Sequence, residues 1–575
     1  MPLRQHPLAK TFWRLVHGFL QSQDRYLAIG IFVGLIVLMT LSVYFTVIVN
    51  QWYASFFDAV QQKNTPAFYT HILTMMYNVA CMLALFISTS FLSAFLSFRW
   101  RQWQTQYFLK GWLWQQTYYH MMNRTHPIDN PDQRISQDLN NFSTLSITLI
   151  FDVFHEFLCV VCFIGILWGL SKGLVITLFD TAYTFHGYLV WGALGYALLG
   201  SGLMHVIGNK LINLDVEQEQ KEANFRYRLV RLRENRESIA LFQAEHFEQK
   251  SLFNAFVGVT KNYYKILKCK VYIDLIQNVY LKRTAIFTGV IAAPMYFNGA
   301  LSFGEFMQVP GAFAAVLTAC SVFITNYKEL AAWTASLKRI HELEQHMNTP
   351  IVHPPHTVAI HRHNKSALHY DFKAIHKPSG EPLVDHPFQL SVNPQERVLL
   401  LGNSGTGKST LTRLTAGLWP YAEGTILVPY DPVFILPQKP YLPFENLYQC
   451  LVYPHIHAPY TLAEVSAQLE ALDLAYLIPH LETEQDWSNQ LSLGEQQRIG
   501  FIRLFLTRPK VAILDEPTSA LSTTQEKQLF EMLFQYCPEI TLLTIGHTQS
   551  LADYHHRIVR LDNTVEVDTT EAVLT

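Results

Sequence analysis

Arg397-Val-Leu-Leu-Leu-Gly402-Asn-Ser-Gly-Thr-Gly-Lys-Ser409-Thr410 is the stretch from which the rest of the chain can be read. The apolar run 397–401 predicts a buried strand, and Thr410-Leu-Thr-Arg-Leu-Thr-Ala416 predicts a helix. A glycine-rich loop between a strand and a helix is the context a phosphate-cradling motif requires. Gly402, Gly405 and Gly407 let the backbone curl so that its N–H groups, with those of Asn403, Ser404 and Thr406, face phosphate oxygens. The helix beginning near Ser409 and Thr410 adds its positive end. Lys408 is placed to reach β- and γ-phosphates, and the Ser409 hydroxyl to ligate Mg²⁺.

Downstream, Val511-Ala-Ile-Leu-Asp515-Glu516 is an apolar strand ending in two acids. A buried parallel strand would deliver Asp515 to the same Mg²⁺, with Glu516 placed to polarise an attacking water. Taken alone, such a pair could equally cap a helix. Further β-like runs, at 433–436 and 540–545, alternate with helical patterns, so the C-terminal part is expected to be an α/β domain.

The N-terminal part is of another kind. At 575 residues the chain is too long for one core, and only 15% of it is charged, against about 25% in soluble domains. The deficit is concentrated in 26–50, 71–98, 146–170 and 186–208, each long enough to cross a bilayer. Two weaker segments, 279–297 and 302–326, bring the expected spans to six. Lys282 and Arg283 open the fifth, which suits the cytoplasmic end of a long helix or a wet cavity. Arg99, Arg101, Lys110, Arg124 and Arg134 lie between spans two and three, and Arg226, Arg228, Arg231, Arg233 and Arg236 between spans four and five. The opposite loops carry little beyond Lys63 and Lys172, so both ends and the two long loops are expected in the cytoplasm. No cleavable signal peptide is expected behind Arg4, Lys10 and Arg14, because the apolar run that follows is too long.

Residues 347–365, with Pro354-Pro355, read as a linker, which sets expected domains at 1–346 and 366–575. Its His353, His356, His361 and His363 lack ligand spacing and suit a solvated segment better than a metal tract. The net charge of −2 gives no sign of a nucleic-acid partner. The seven cysteines are scattered, and Cys159-x-x-Cys162 lies in an apolar run, where small buried residues are expected rather than a redox pair. Asp152 and Glu156 stand at i, i+4 on the third span with His155 beside them. They are candidates for a wet central cavity, or else for the membrane interface.

With these residues in place, 395–550 resembles the nucleotide-binding domain of an ABC transporter, and the motifs come in family order. Leu491-Ser492-Leu493-Gly494-Glu495-Gln496 resembles the signature motif, Gln438 the Q-loop glutamine, Ser519-Ala520-Leu521 the D-loop and His547 the switch histidine. The resemblance implies ATP and Mg²⁺ as cofactors, with Ser409, Gln438 and Asp515 around the ion and Glu516, His547 and Gln438 in hydrolysis. It also implies that Ser492, Leu493, Gly494 and Glu495 complete the ATP site of a partner copy. Two departures stand out. Ser522 replaces the usual D-loop aspartate, and no aromatic residue occupies 374–379, leaving Tyr370, Phe372 or His376 to stack on adenine.

In the membrane half, Glu222–Tyr227, 233–240, Asn130–Ile135, Ala293–Gly299 and Met307-Gln308 resemble subfamily D half-transporters, and bacterial SbmA/BacA-like permeases fused to an ATPase in particular. The fold this implies is an exporter-like (type IV) six-span helical domain followed by a P-loop ABC ATPase. The activity it implies is ATP-driven transport by a homodimer in a bacterial inner membrane, with the ATPase cytoplasmic. The polar residues of the spans (Asn50, Asn78, Asp152, Glu156, Gln277, Asn278) favour import of a hydrophilic solute such as a peptide or a cobalamin-like compound. A lipid or fatty acyl-CoA transporter and an ATP-gated channel that does not pump are the alternatives.

Overall fold

The computed structural model describes residues 7–122, 128–171, 174–178, 181–280, 284–322, 326–349, 358–377, 379–384, 387–403, 405–455, 460–547, 549–561 and 567–568. Arg4, Arg124, Lys172, Lys282, Arg283, His353, His356 and Ser404, named above, lie outside the described residues, as does the side chain of Gln277. Two compact units result: Met1–Trp114 with Ile128–Asn348, and Gln115–Pro127 with Thr349–Thr575.

The first unit is helical. Its main elements are α1 (Pro7–Leu20), α2 (Arg25–Gln61), α3 (Thr65–Leu113), α4 (Leu139–Leu170), α5 (Tyr188–Glu234), α6 (Glu245–Tyr280), α7 (Thr284–Phe297), α8 (Phe303–Cys320) and α9 (Tyr327–Asn348). The hairpin β1 (Leu174–Leu178) with β2 (Thr181–Phe185) separates α4 from α5. Three of the expected spans lie in long apolar helices at Arg25–Gln61, Thr65–Met122 and Pro131–Leu170, and a fourth is Phe303–Cys320. Two shorter apolar stretches, Tyr188–Gly200 and Thr284–Phe297, fall where the other two are expected. At 1.5 Å per residue the 49-residue α3 is roughly 70 Å long, more than twice the ~30 Å hydrocarbon core. Large apolar side chains such as Leu73, Met76, Phe86 and Phe91 stand exposed along it, as lipid-facing residues do.

Polar contacts fix how these helices cross. Asn50 on α2 and Gln308 on α8 are both buried; the Gln308 amide donates to Asn50 Oδ1 at 2.9 Å, and Asn50 Nδ2 to Gln308 O at 3.3 Å. Asn78 is likewise buried. These two residues therefore sit in helix packing, not on a wet wall. Ser302 caps α8 in a capping box with Glu305, and Asp58 of α2 grips the same helix end: its Oδ1 accepts the Gly304 N–H at 2.7 Å and its Oδ2 the Ser302 hydroxyl at 2.9 Å. A Cβ at Gly304 would lie 1.8 Å from Ala54 O, so only glycine allows this approach. Between α5 and α6, the buried Asn262 donates to Leu214 O at 2.9 Å and Gln218 Oε1 at 3.1 Å.

The second unit is α/β. One sheet joins β3 (Ala359–His363), β4 (Leu368–His376), β5 (Pro382–Val384), β6 (Phe388–Val392) and β8 (Ala422–Pro429). Residues 359–363, read from sequence as linker, thus form a strand paired with β8. The other sheet has the order β15-β14-β7-β13-β12-β9, built from β7 (Arg397–Leu401), β9 (Phe434–Leu436), β12 (Val511–Asp515), β13 (Thr541–Gly546), β14 (Arg557–Arg560) and β15 (Val567–Asp568). A short hairpin pairs β10 (Glu445–Asn446) with β11 (Glu484–Gln485). Strands β7, β13 and β12 are parallel and almost wholly buried, which explains their continuous apolar sequence.

Candidate functional site

Register puts the site together. Leu401 pairs with Gly546, and Asp515 with Ile545, so β7, β13 and β12 end at one level. In open α/β sheets, ligands bind at the carboxyl ends of the strands. Here those ends carry the 402–407 loop, Asp515-Glu516 and Gly546-His547. The loop turns through Gly405 (φ 87°) and Gly407 (φ 97°) and runs into α10 (Lys408–Thr415). A Cβ at Gly407 would meet Leu383 at 3.2 Å in a left-handed conformation that L-residues avoid.

A cavity of about 310 Å³ opens there, lined by Gly405, Gly407, Lys408, Ser409, Thr410, Glu516 and His547 together with Lys377, Leu383, Arg413 and Trp419. Lys408 Nζ donates to Gly402 O, to Asn403 O at 2.8 Å and to His547 Nδ1 at 3.3 Å. Because Nδ1 accepts, Nε2 carries the His547 proton and donates to Glu516 Oε1. Gln438 Nε2 donates to the other oxygen, Glu516 Oε2, at 2.8 Å. Glu516 is thus held from two sides, on a backbone at φ 46° that a non-glycine residue rarely adopts. Ser409 Oγ donates to Asp515 Oδ1 at 3.3 Å. Burial pushes the Asp515 carboxyl above its ordinary range, against the opposing pull of the Ser409 hydrogen bond. A hydroxyl and a carboxylate converging beside a phosphate loop form an oxygen donor set suited to a hard cation.

The 491–498 string is not among the residues lining this cavity. Ser492 caps α11 (Leu493–Thr507) in a capping box with Glu495. The Tyr476 hydroxyl also donates to Glu495, which holds that carboxylate below its ordinary range despite burial, while burial lifts Tyr476 to about 12. A Cβ on Gly494 would touch Ala520 O at 3.0 Å, so the string packs tightly on the 519–521 turn. Ser522, the departure from the family pattern, caps α12 (Thr523–Tyr536) with Gln525, a task serine performs as well as aspartate.

Two features escaped the sequence reading. Gln497, only 1% exposed, donates to Gln438 O at 3.0 Å and Ser519 Oγ at 2.9 Å and accepts the Ala520 N–H at 3.1 Å. It ties together three loops that the sequence treated separately; its place inside the signature string was the available signal. The second concerns the aromatic residue at the cavity. Tyr370 and Phe372 are fully buried in the core, and His376 is half-buried with its carbonyl accepting from Trp419 Nε1 at 3.1 Å. Among the described residues, Trp419 is the one Phe, Tyr or Trp side chain that lines the cavity. It lies after the phosphate loop rather than before it, so a search restricted to 370–379 could not find it.

Residues 18–297 match the family described as ABC transporter transmembrane region 2, and residues 386–519 the family described as ABC transporter. An uncharacterized ABC transporter ATP-binding protein of Synechocystis sp. is 32% identical over 88% of this chain and 76% of its own length. The lysosomal cobalamin transporter ABCD4 of Homo sapiens is 26% identical over 80% of each chain. Among solved structures, a bacterial Atm1-family ABC exporter with ATP bound superposes with a TM-score of 0.68 at 19% identity, covering 94% of both chains, which supports the exporter-like fold. This chain is a multi-pass membrane member of the ABC transporter family, similar to subfamily D, whose ATPase domain drives transport.

Proposed function

We propose that the protein is an SbmA/BacA-like half-transporter that works as a homodimer in the bacterial inner membrane, its ATPase domain cytoplasmic, importing hydrophilic solutes of the peptide or cobalamin class. A membrane domain that ends near Asn348 and an ATPase domain whose first strand begins at Ala359 suit that arrangement. The observation that carries the dimer is the separation of the two halves of a nucleotide site. Gly405, Gly407, Lys408, Ser409 and Thr410 line the cavity, while Ser492, Leu493, Gly494 and Glu495 do not. The signature string caps a helix end left available to the ATP of a second copy.

Within each site, Gly402, Asn403, Ser404, Gly405, Thr406, Gly407, Lys408, Ser409 and Thr410 would hold the triphosphate. Ser409, Asp515 and Gln438 would hold Mg²⁺, which supplies charge neutralisation at the phosphates. Glu516, oriented by His547 and Gln438, would polarise the attacking water, and His547 would report on the γ-phosphate.

For the cargo, the half-buried Asp152 and Glu156 midway along α4, with Asn326 Nδ2 donating to Asp152 Oδ2 at 3.3 Å, favour a polar solute over an acyl chain. The named cargo of the human relative points the same way. The test is uptake into proteoliposomes of labelled cobalamin, a Pro-rich peptide and an acyl-CoA, with Glu516→Gln as control. The reading requires ATP-dependent accumulation of one of the first two, and a loss of at least about 100-fold in both hydrolysis and uptake in the variant. Transport of the acyl-CoA alone would overturn it, and so would solute flux that survives in Glu516→Gln.

A further inference from the structure

His155-Glu156-Phe-Leu-Cys159 lies midway along α4, inside an apolar span. Among the described residues these three side chains bring one imidazole nitrogen, one carboxylate oxygen and one thiol sulfur within 4.8 Å of one another. His155 Nδ1 faces both partners, 3.4 Å from Glu156 Oε1 and 3.9 Å from Cys159 Sγ. We propose that His155, Glu156 and Cys159 form a binding site for a borderline-soft divalent metal ion of the Zn²⁺ type.

The argument is geometric first. Residues at i and i+4 share a helix face, the spacing by which paired helical ligands chelate zinc. Bonds of about 2.0–2.2 Å to nitrogen and oxygen and about 2.3 Å to sulfur give tetrahedral ligand edges of roughly 3.4–3.6 Å. The observed 3.4 and 3.9 Å need only a few tenths of an ångström of closure between nitrogen and its partners. Charge supports it independently. A thiolate, a carboxylate and a neutral imidazole around a divalent cation sum to zero, which suits a low-dielectric setting where an unpaired charge is costly. Cys159 is buried against the apolar packing of α2, α4 and α8, whereas His155 and Glu156 are half-buried, which leaves one side of the site open for entry and for a fourth ligand. The mixed sulfur, nitrogen and oxygen set disfavours Ca²⁺ and Mg²⁺. The site shares Glu156 with the residues that favour a polar cargo, but its test reads metal binding and not transport.

The experiment uses the full-length protein in lipid nanodiscs, stripped with chelator and titrated with Co²⁺ as a spectroscopic probe. We expect one tight Co²⁺ per chain, a near-ultraviolet thiolate-to-cobalt absorption, and displacement by Zn²⁺. Cys159→Ser should abolish that absorption, and His155→Gln should weaken binding by at least about tenfold. Cys162→Ser, which removes an exposed thiol one turn away, should change neither. ATP hydrolysis in each variant verifies folding. An absence of tight Co²⁺ binding in the unmodified protein overturns the proposal without any variant. So does a thiolate band that persists in Cys159→Ser or vanishes in Cys162→Ser.

Discussion

Replacing Gln497 tests whether a buried amide holds the hydrolytic carboxylate in place. Its amide donates to Gln438 O at 3.0 Å and Ser519 Oγ at 2.9 Å, its Oε1 accepts the Ala520 N–H at 3.1 Å, and Glu516 O lies 3.5 Å away. Alanine leaves the Ala520 N–H and the Gln438 carbonyl without this partner, at about 1–3 kcal/mol for each group that water fails to reach. The lost methylene adds about 0.8 kcal/mol. The total is about 3–7 kcal/mol, concentrated on the segments that carry Gln438 and Glu516. If about 2 kcal/mol of it reaches the barrier, kcat falls roughly 30-fold. The KM for ATP should stay within about twofold, because the hydrogen bonds of Gln497 run to Gln438, Ser519 and Ala520. Gln497→Glu is the sharper variant. It keeps an acceptor for Ala520 but sets an anionic oxygen against the Gln438 carbonyl, so it should be worse than alanine despite matching the native shape. Phosphate release against ATP concentration, with thermal unfolding in parallel, reads both effects. A kcat within twofold of the parent in both variants, or a Glu variant more active than the Ala variant, refutes the reasoning.

Three further outcomes are expected. Burial pulls the His555 imidazole down to about 4, and its Nδ1–H donates to Leu551 O at 2.7 Å. The unfolded chain therefore binds the extra proton between about pH 6.5 and 4, stability rises with pH across that window, and roughly 3 kcal/mol should be lost on acidification; unfolding of His555→Gln should show a flatter pH dependence. Gly304→Ala sets a Cβ 1.8 Å from Ala54 O and forces α2 and α8 apart by roughly 1.5 Å, so thermal unfolding should report a loss of about 3–5 kcal/mol. Gly311→Ala, which meets only the Asn50 amide at 2.8 Å, should cost less. Trp419→Ala should raise the KM for ATP about tenfold while Tyr370→Phe leaves it unchanged, since only the former lines the cavity.

Much of the site was legible because its parts are local. A glycine-rich turn needs its glycines consecutively, and a strand that ends in Asp515-Glu516 must carry them at its tip. The apolar spans were legible for the same reason, since a bilayer imposes a contiguous length. The reading went astray where one side chain had two possible environments. Asn50 looked like the wall of a wet cavity, yet its partner Gln308 is 258 residues away and satisfies it in packing. Tyr370 and Phe372 looked available for adenine, yet they alternate inward on β4 and fill the core.

By itself, the sequence determined the phosphate loop, the acidic strand end, the signature string and the apolar segments, because each depends on neighbours within a few residues. Only the tertiary structure decided that β7, β12 and β13 end at one level, that His547 and Gln438 hold Glu516 from opposite sides, and that Gln497 joins their loops. It also decided that Trp419, rather than Tyr370 or Phe372, faces the cavity. These follow from strand register and helix packing, which are set by burial summed over the whole unit and leave no local trace in the chain.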